Sequence, residues 1–235
     1  FDDPSADLSS VSEPNAMPAT LQGNPVVAQD GRIGSYLQLD GKDDRMSLPA
    51  TAVNLSEGGF ATWIRIQDPP ERVSTLVFRF RVENAGLDIR RGKDGAIRVG
   101  SPAQQWNLTG TQQVPQGEWV HLAMTWSATA PAALFLNGKP AGTSAAPLKM
   151  TSCRGVLAGL SPSGGGKKKQ EQIFHKVAFD DLRFYSQPLD EAKILKLVSA
   201  SIVTPKTLEP YEGEKPPQYS LGANGLIAEY LFEDA

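Results

Sequence analysis

Apolar and polar residues alternate with a period of two through much of the chain, most clearly in Gly117–Gly142, GEWVHLAMTWSATAPAALFLNGKPAG. Within Trp119–Trp126, the residues Val120, Leu122, Met124 and Trp126 share one face, and Trp119, His121, Ala123 and Thr125 share the other. Such alternation, rich in aromatic and branched residues, predicts a half-buried strand. Ala133–Asn137 continues the pattern with Leu134 and Leu136, and Asn137-Gly138 predicts a tight hairpin turn because both residues tolerate positive φ. Phe60–Gln67 repeats the alternation, with Phe60, Thr62, Ile64 and Ile66 opposite Ala61, Trp63, Arg65 and Gln67, until Asp68-Pro69-Pro70 stops it. Further strands are predicted at Tyr36–Asp40, Arg45–Leu48, Ser74–Val82, Leu87–Arg91, Ala96–Val99, Gln105–Thr109, Val156–Leu160 and Phe174–Tyr185. One helix is predicted, opening at Pro188 and ending near Val198. Leu189, Ile194, Leu195 and Val198 form its apolar face, and Asp190 and Glu191 suit its positive N-terminus.

Composition narrows the class. With 40% hydrophobic residues, 22 glycines and 18 prolines in 235 residues, the chain suits a turn-rich β-domain with a two-layer core. A net charge of -3 supplies no basic field for nucleic acid. The single cysteine, Cys153, excludes an intrachain disulfide and a cysteine-based zinc site. No apolar run is long enough to span a bilayer, so no membrane insertion is expected. Ser161–Gln172 reads as a glycine- and lysine-rich loop, and Lys167-Lys168-Lys169 as its solvated tip.

The predicted organisation is a body over residues 1–198, a Pro-rich linker over 199–225, and a further strand within 226–235. Phe232-Glu233-Asp234-Ala235 lines up with Phe1-Asp2-Asp3-Pro4. The last segment therefore reads either as the start of a second copy or as the strand missing from the head of this one.

Four motifs occur in fixed order: GRIGSYLQLDGKDDRMSLP, GGFATWIRIQ, GEWVHLAMTW…LFLNGKPAG and FDDLRFYSQPLDEAKI. The series resembles the bacterial LamG-like modules of the laminin-G-like, concanavalin A-like lectin/glucanase jelly-roll family, from Phe1 to about Val198. The resemblance implies an all-β fold, a two-sheet antiparallel jelly-roll sandwich. It also implies an extracellular or periplasmic setting in a secreted multidomain protein, whose adjacent domains would be neighbours of this one. The family often holds one structural Ca²⁺. Carried over, its ligands are Asp180, Asp2 or Asp3, and a carbonyl near Gly34.

The residues themselves leave alternatives open. Counting by twos from Leu182 and Phe184 puts Asp180 on the inward face, where a carboxylate needs either a cation or several backbone N–H donors. Asp40, Asp43 and Asp44 read as a solvated hairpin tip with no EF-hand pattern. Trp63, Arg65, His121 and Thr125 lie on the strand faces opposite the core, as an aromatic and polar sugar-binding groove or as packing residues. His121 has no identifiable nucleophile beside it, and His175 reads as a surface residue. No Glu-x-Asp-x-x-Glu segment supplies the paired carboxylates of a retaining glycosidase, and Arg79-Phe80-Arg81 alone is too little for a lyase site. The expectation is a non-catalytic binding module for carbohydrate or a protein partner. The alternatives are a ligand-free spacer in a tandem array and, third, a polysaccharide-cleaving enzyme.

Overall fold

The computed structural model describes residues 19–69, 74–82, 86–101, 106–150, 152–161 and 172–200, and the backbone of 226–230. Asp2, Asp3, the lysine tip and residues 201–225 fall outside this set. The strands are β1 (Thr20–Gln22), β2 (Val26–Ala28), β3 (Tyr36–Asp40), β4 (Arg45–Leu48), β5 (Glu57–Ile66), β6 (Ser74–Val82), β7 (Leu87–Gly92), β8 (Ala96–Ser101) and β9 (Trp106–Gln113). They continue with β10 (Trp119–Ser127), β11 (Pro131–Leu136), β12 (Lys139–Pro147), β13 (Cys153–Ala158), β14 (Leu160–Ser161), β15 (Ile173–Phe174) and β16 (Lys176–Tyr185). Helix α1 (Glu191–Ala200) and β17 (Leu226–Tyr230) come last.

The strands form two antiparallel sheets. One runs β1-β4-β13-β6-β7-β8-β9 and the other β12-β11-β10-β5-β16-β3-β2, while β14 and β15 pair separately. Strand β16 pairs with β5 on one side. On its other side it pairs with β3 over Lys176–Phe179 and with β17 over Leu182–Tyr185. Residues 226–230 thus lie in the same sheet as the body strands.

The core between the sheets gathers the faces that the alternation singles out: Val120, Leu122, Met124 and Trp126 from β10, and Phe60, Ile64 and Ile66 from β5. The hairpin between β11 and β12 turns on Asn137 (φ 50°) and Gly138 (φ 78°), the left-handed pair the sequence predicts. Asn137 also ties back to β10: its Oδ1 accepts the His121 N–H at 2.9 Å, and its own N–H donates to the His121 carbonyl at 2.8 Å.

The two sheets differ in how their strands are buried. In β9 buried and exposed residues alternate, as in a sheet with one face to solvent. In β5, β10 and β16 nearly every residue is buried. Their second face is covered by α1 and the segment leading into it. Leu189 and Ile194 join Ala61, Ala123, Phe135 and Tyr185 in a second apolar cluster, with Ala133 and Leu197 packed against it. Asp190 caps the helix, its carboxylate accepting the Lys193 N–H at 2.7 Å. Leu195, expected on the apolar face of the helix, is instead 43% exposed. The helix spans Glu191–Ala200 and docks through Ile194, with Leu197 one turn further on packed against the sheet, which leaves Leu195 on the outer side.

Phe60 joins the layers. Its ring centroid lies 5.5 Å from that of Phe78, 6.0 Å from Phe80 and 6.1 Å from Phe184, so one side chain bridges β5 to β6 across the core and to β16 beside it. Truncating a buried aromatic loses its transfer free energy and leaves a cavity, so Phe60→Ala is expected to cost about 3–5 kcal/mol. Urea denaturation monitored by tryptophan fluorescence checks this; a loss below about 1 kcal/mol would contradict the packing described.

Candidate functional site

Trp63, Arg65, His121 and Thr125 do share one face, the outer face of the eight-stranded sheet. Trp63 is directly opposite His121 on the neighbouring strand, with the rings edge-on at 5.3 Å. The face is not an open groove. Trp63 is 4% exposed and His121 1%. Arg32, from the turn between β2 and β3, places its guanidinium 4.5 Å from the Trp63 ring. Arg65 is held 4.6 Å from the Tyr36 ring and 4.8 Å from that of Trp119. These contacts are cation–π packing. The Thr125 hydroxyl donates to the Gly58 carbonyl and accepts the Leu189 N–H, which ties the approach to α1 onto the sheet. Burial, and secondly the nearby Arg183 charge, lower the His121 pKa to about 4.

Asp180 sits on this same outer face, a correction to the inward position that counting by twos gives. A bulge between Asp180 and Arg183, with Asp181 at φ 49°, inserts one residue into β16 and shifts the parity of the residues beyond it. Phe179 and Leu182 both point into the core, and Asp180 pairs across from Trp63. Its Oδ2 accepts the N–H groups of Arg32 and Ile33, at 2.5 and 2.8 Å. The turn comes this close because Gly31 lacks a side chain; a Cβ there would lie 2.5 Å from Oδ2. The Gly34 carbonyl accepts the Gly31 N–H at 2.7 Å. Two N–H donors thus satisfy Oδ2 without a cation, while Asp2 and Asp3, the other predicted calcium ligands, lie outside the described residues. The adjacent Asp181 is buried, which raises its pKa, and it is paired with Arg183 at 2.5 Å.

The acidic tip is only partly solvated. Asp40, Asp43 and Asp44 lie close together, but Asp44 is buried and holds the chain, accepting the Asn24 N–H at 2.7 Å and the Asp40 N–H at 2.9 Å. Burial raises its pKa.

A constellation that the sequence reading misses lies at the junction of the sheets. His175 is buried, not on the surface. Its Nδ1 is 2.8 Å from Asp68 Oδ2, and its Nε2 is 2.8 Å from the Ser161 hydroxyl. The connectivity matches that of a Ser-His-Asp hydrolase. Here each member also has structural partners: Asp68 accepts the Lys176 N–H and the Thr75 hydroxyl, and Ser161 accepts Arg90 Nη1 at 3.2 Å. The three residues clamp the end of β5 to β6, β14 and β16. Residues 68, 161 and 175 are distant in sequence, and no local motif marks them.

Among the described residues no helix or turn roofs the outer side of the seven-stranded sheet, and that face is polar. Register places Ser47, Leu157, Arg79, Asp88, Gly100 and Asn107 in one row across it, and Arg90, Arg98 and Thr109 in the next. Asp88 lies between two guanidinium groups. Arg79 donates to it through Nε and through Nη2 at 2.5 Å, and Arg90 through Nη2 at 2.9 Å. Ser74 and Ser161 accept from Arg90 Nη1. Arg98 pairs with Asp94 in an exposed fork. That hydrogen bonding lowers the Asp94 pKa to about 2.

Two stacked antiparallel sheets in this order define a concanavalin A-like jelly roll. The family model for the concanavalin A-like lectin/glucanases superfamily, of laminin G type, matches residues 40–195, and the chain belongs to that family. No curated protein matches significantly. Among solved structures, domain 4 of an extracellular arabinanase from Geobacillus stearothermophilus, in complex with arabinotriose, aligns with a TM-score of 0.61 at 21% identity, over 82% of this chain and 93% of that one. A botulinum neurotoxin type C structure, reported with two ganglioside molecules as the route of cell entry, aligns with a TM-score of 0.63 at 11% identity, over 80% of this chain and 47% of that one. A Trypanosoma rangeli sialidase mutant with trans-sialidase activity aligns with a TM-score of 0.58 at 14% identity, over 84% and 33%. At these identities the neighbours establish the fold alone. Among the described residues no helix is long and apolar enough to cross a membrane.

The roofed face makes two predictions. The folded-state pKa of His121, about 4, lies below the ordinary 6.5, so on acidification a proton binds the unfolded chain first. Stability should therefore fall between pH 6.5 and 4, by about 3 kcal/mol from this residue. His121→Leu should reduce that slope relative to wild type in urea titrations at stepped pH; identical slopes would contradict it. For Asp180, EDTA is expected to leave Tm unchanged. A drop of several degrees, restored by Ca²⁺, would show that a cation displaces the two N–H donors.

Proposed function

We propose that the chain is a non-catalytic carbohydrate-binding module acting outside the cell as part of a multidomain protein. The observation that carries this reading is the contrast between the two outer faces. One is sealed by α1 and the 30–35 turn. The other is an open sheet of hydrogen-bonding and charged side chains ordered by their own bonds. Such a surface suits a hydroxyl-rich chain, since its donors and acceptors are fixed before the ligand arrives. The arabinotriose complex of the arabinanase domain, and the ganglioside interaction named for the toxin, support the class of ligand.

A non-catalytic role is supported by the carboxylates. Asp180 and Asp181 are occupied beneath the roof, and Asp88 is held between arginines. The buried side chains in the predicted groove favour a second reading, a spacer without a ligand.

Immobilised polysaccharides, neutral and charged, probed with the full chain separate these readings. Saturable binding of at least one glycan class, without release of reducing ends, is the expected result. Binding to none would leave the spacer, and release of reducing ends would establish an enzyme.

A further inference from the structure

The seven strands of the open sheet contain Arg45, Arg79, Arg81, Arg90, Arg91, Arg98 and Arg154, no lysine, and one acidic residue, Asp88. The strands of the other sheet lean slightly acidic, with Arg65, Arg183, Lys139 and Lys176 against Asp40, Glu57, Asp180, Asp181 and Glu229. The chain as a whole carries a net charge of -3, so the concentration of arginine on one face runs against its overall charge. Arg91 is buried and donates to the Val114 carbonyl. The neighbours of Arg45, Arg79, Arg81, Arg90 and Arg98 along their strands point into the core, which places these five on the outer side.

Arginine differs from lysine in presenting a rigid planar fork that takes a carboxylate through two parallel bonds. The face already shows this chemistry: Arg79 holds Asp88 through two nitrogens, and Arg90 approaches the same carboxylate from the other side. Arg81 is exposed and uses Nη2 on the Arg154 carbonyl, and among the described residues no carboxylate pairs with Arg45, Arg81 or Arg154. The Arg98–Asp94 pair is open to solvent on both sides, so a ligand can exchange with Asp94 at little cost. Between Asp88 and Asn107 lies Gly100. Among the described residues a Cβ there would meet only the Trp106 carbonyl, at 3.8 Å, which leaves a shallow notch in the sheet. Among the described residues the exposed large hydrophobics are Val26, Ile173 and Leu195, none of them aromatic, and the half-buried rings Tyr36 and Trp119 belong to strands of the other sheet, so the arginine face has no exposed aromatic for stacking a neutral sugar ring.

We infer that this face binds an anionic polysaccharide through the carboxylates of its uronate units, with Arg81 and Arg98 as the contacting forks, the Arg79–Asp88–Arg90 cluster adding positive charge beside them, and the Gly100 notch as the line of closest approach. The inference rests on the carbohydrate-binding reading and names its ligand class and surface.

The test uses the full chain with four probes at two salt concentrations: polygalacturonate (carboxylate), dextran sulfate (sulfate), and arabinan and dextran (neutral). Polygalacturonate should bind most tightly, and its affinity should fall several-fold between about 50 and about 200 mM salt, as screening weakens exposed charge pairs. Arg81→Ser, on an exposed side chain, and Gly100→Glu, which fits the notch and adds a negative charge, should each weaken binding about tenfold with Tm unchanged. Lys139→Glu, on the other sheet, should leave it unchanged. Binding of the neutral glycans alone would overturn the inference and leave the general reading intact. Tighter binding of dextran sulfate would overturn the carboxylate assignment. Polygalacturonate binding that ignores both face variants would overturn the surface, and failure of all four probes would remove the basis of both readings.

Discussion

A strand buried on both sides requires a third layer. Strands β5, β10 and β16 present apolar side chains to the core and a second set, Ala61, Ala123 and Tyr185, to the opposite side. Water on that second face would leave this apolar area exposed, at roughly 25 cal/mol per Å². The chain avoids the cost by folding α1 and the turn before β3 over it. Once that face is roofed, the outer side of the other sheet is the face that the described residues leave uncovered. The position of a ten-residue helix therefore determines which side of the molecule is available for recognition.

The strands are legible because period two is a strong signal where one face is wet, and it stays readable where small or amphipathic residues line the second face. The β10 pattern and the Asn137-Gly138 turn are both found as the alternation requires. The pattern does not reveal which side of the eight-stranded sheet is dry. Trp63, His121 and Thr125 have the composition of a sugar-binding groove, and it takes the tertiary placement of Leu189, Arg32 and Ile33 to bury them.

Two departures from the sequence pattern have definite causes. Counting by twos fails across a bulge, and nothing local in AFDDLRFYS announces that Asp181 takes a left-handed conformation. The count therefore places Asp180 on the wrong side of its sheet. His175 escapes because its partners, Asp68 and Ser161, lie 107 and 14 residues away. A lone histidine beside a polar loop carries no trace of such bonds. The arginine asymmetry, by contrast, is present in the sequence but becomes a pattern only when strand order assigns β4, β6, β7, β8 and β13 to one sheet.

The choice of arginine over lysine along those strands reaches beyond geometry. A guanidinium keeps its proton across any pH at which a protein stays folded, so the cationic character of the face is permanent. For the uronate polymer proposed above, acidification would act by neutralising the polymer's own acids rather than these arginines. Amine-directed reagents also find no target within these strands, so covalent attachment of the domain through its lysines to a solid support leaves this sheet chemically intact.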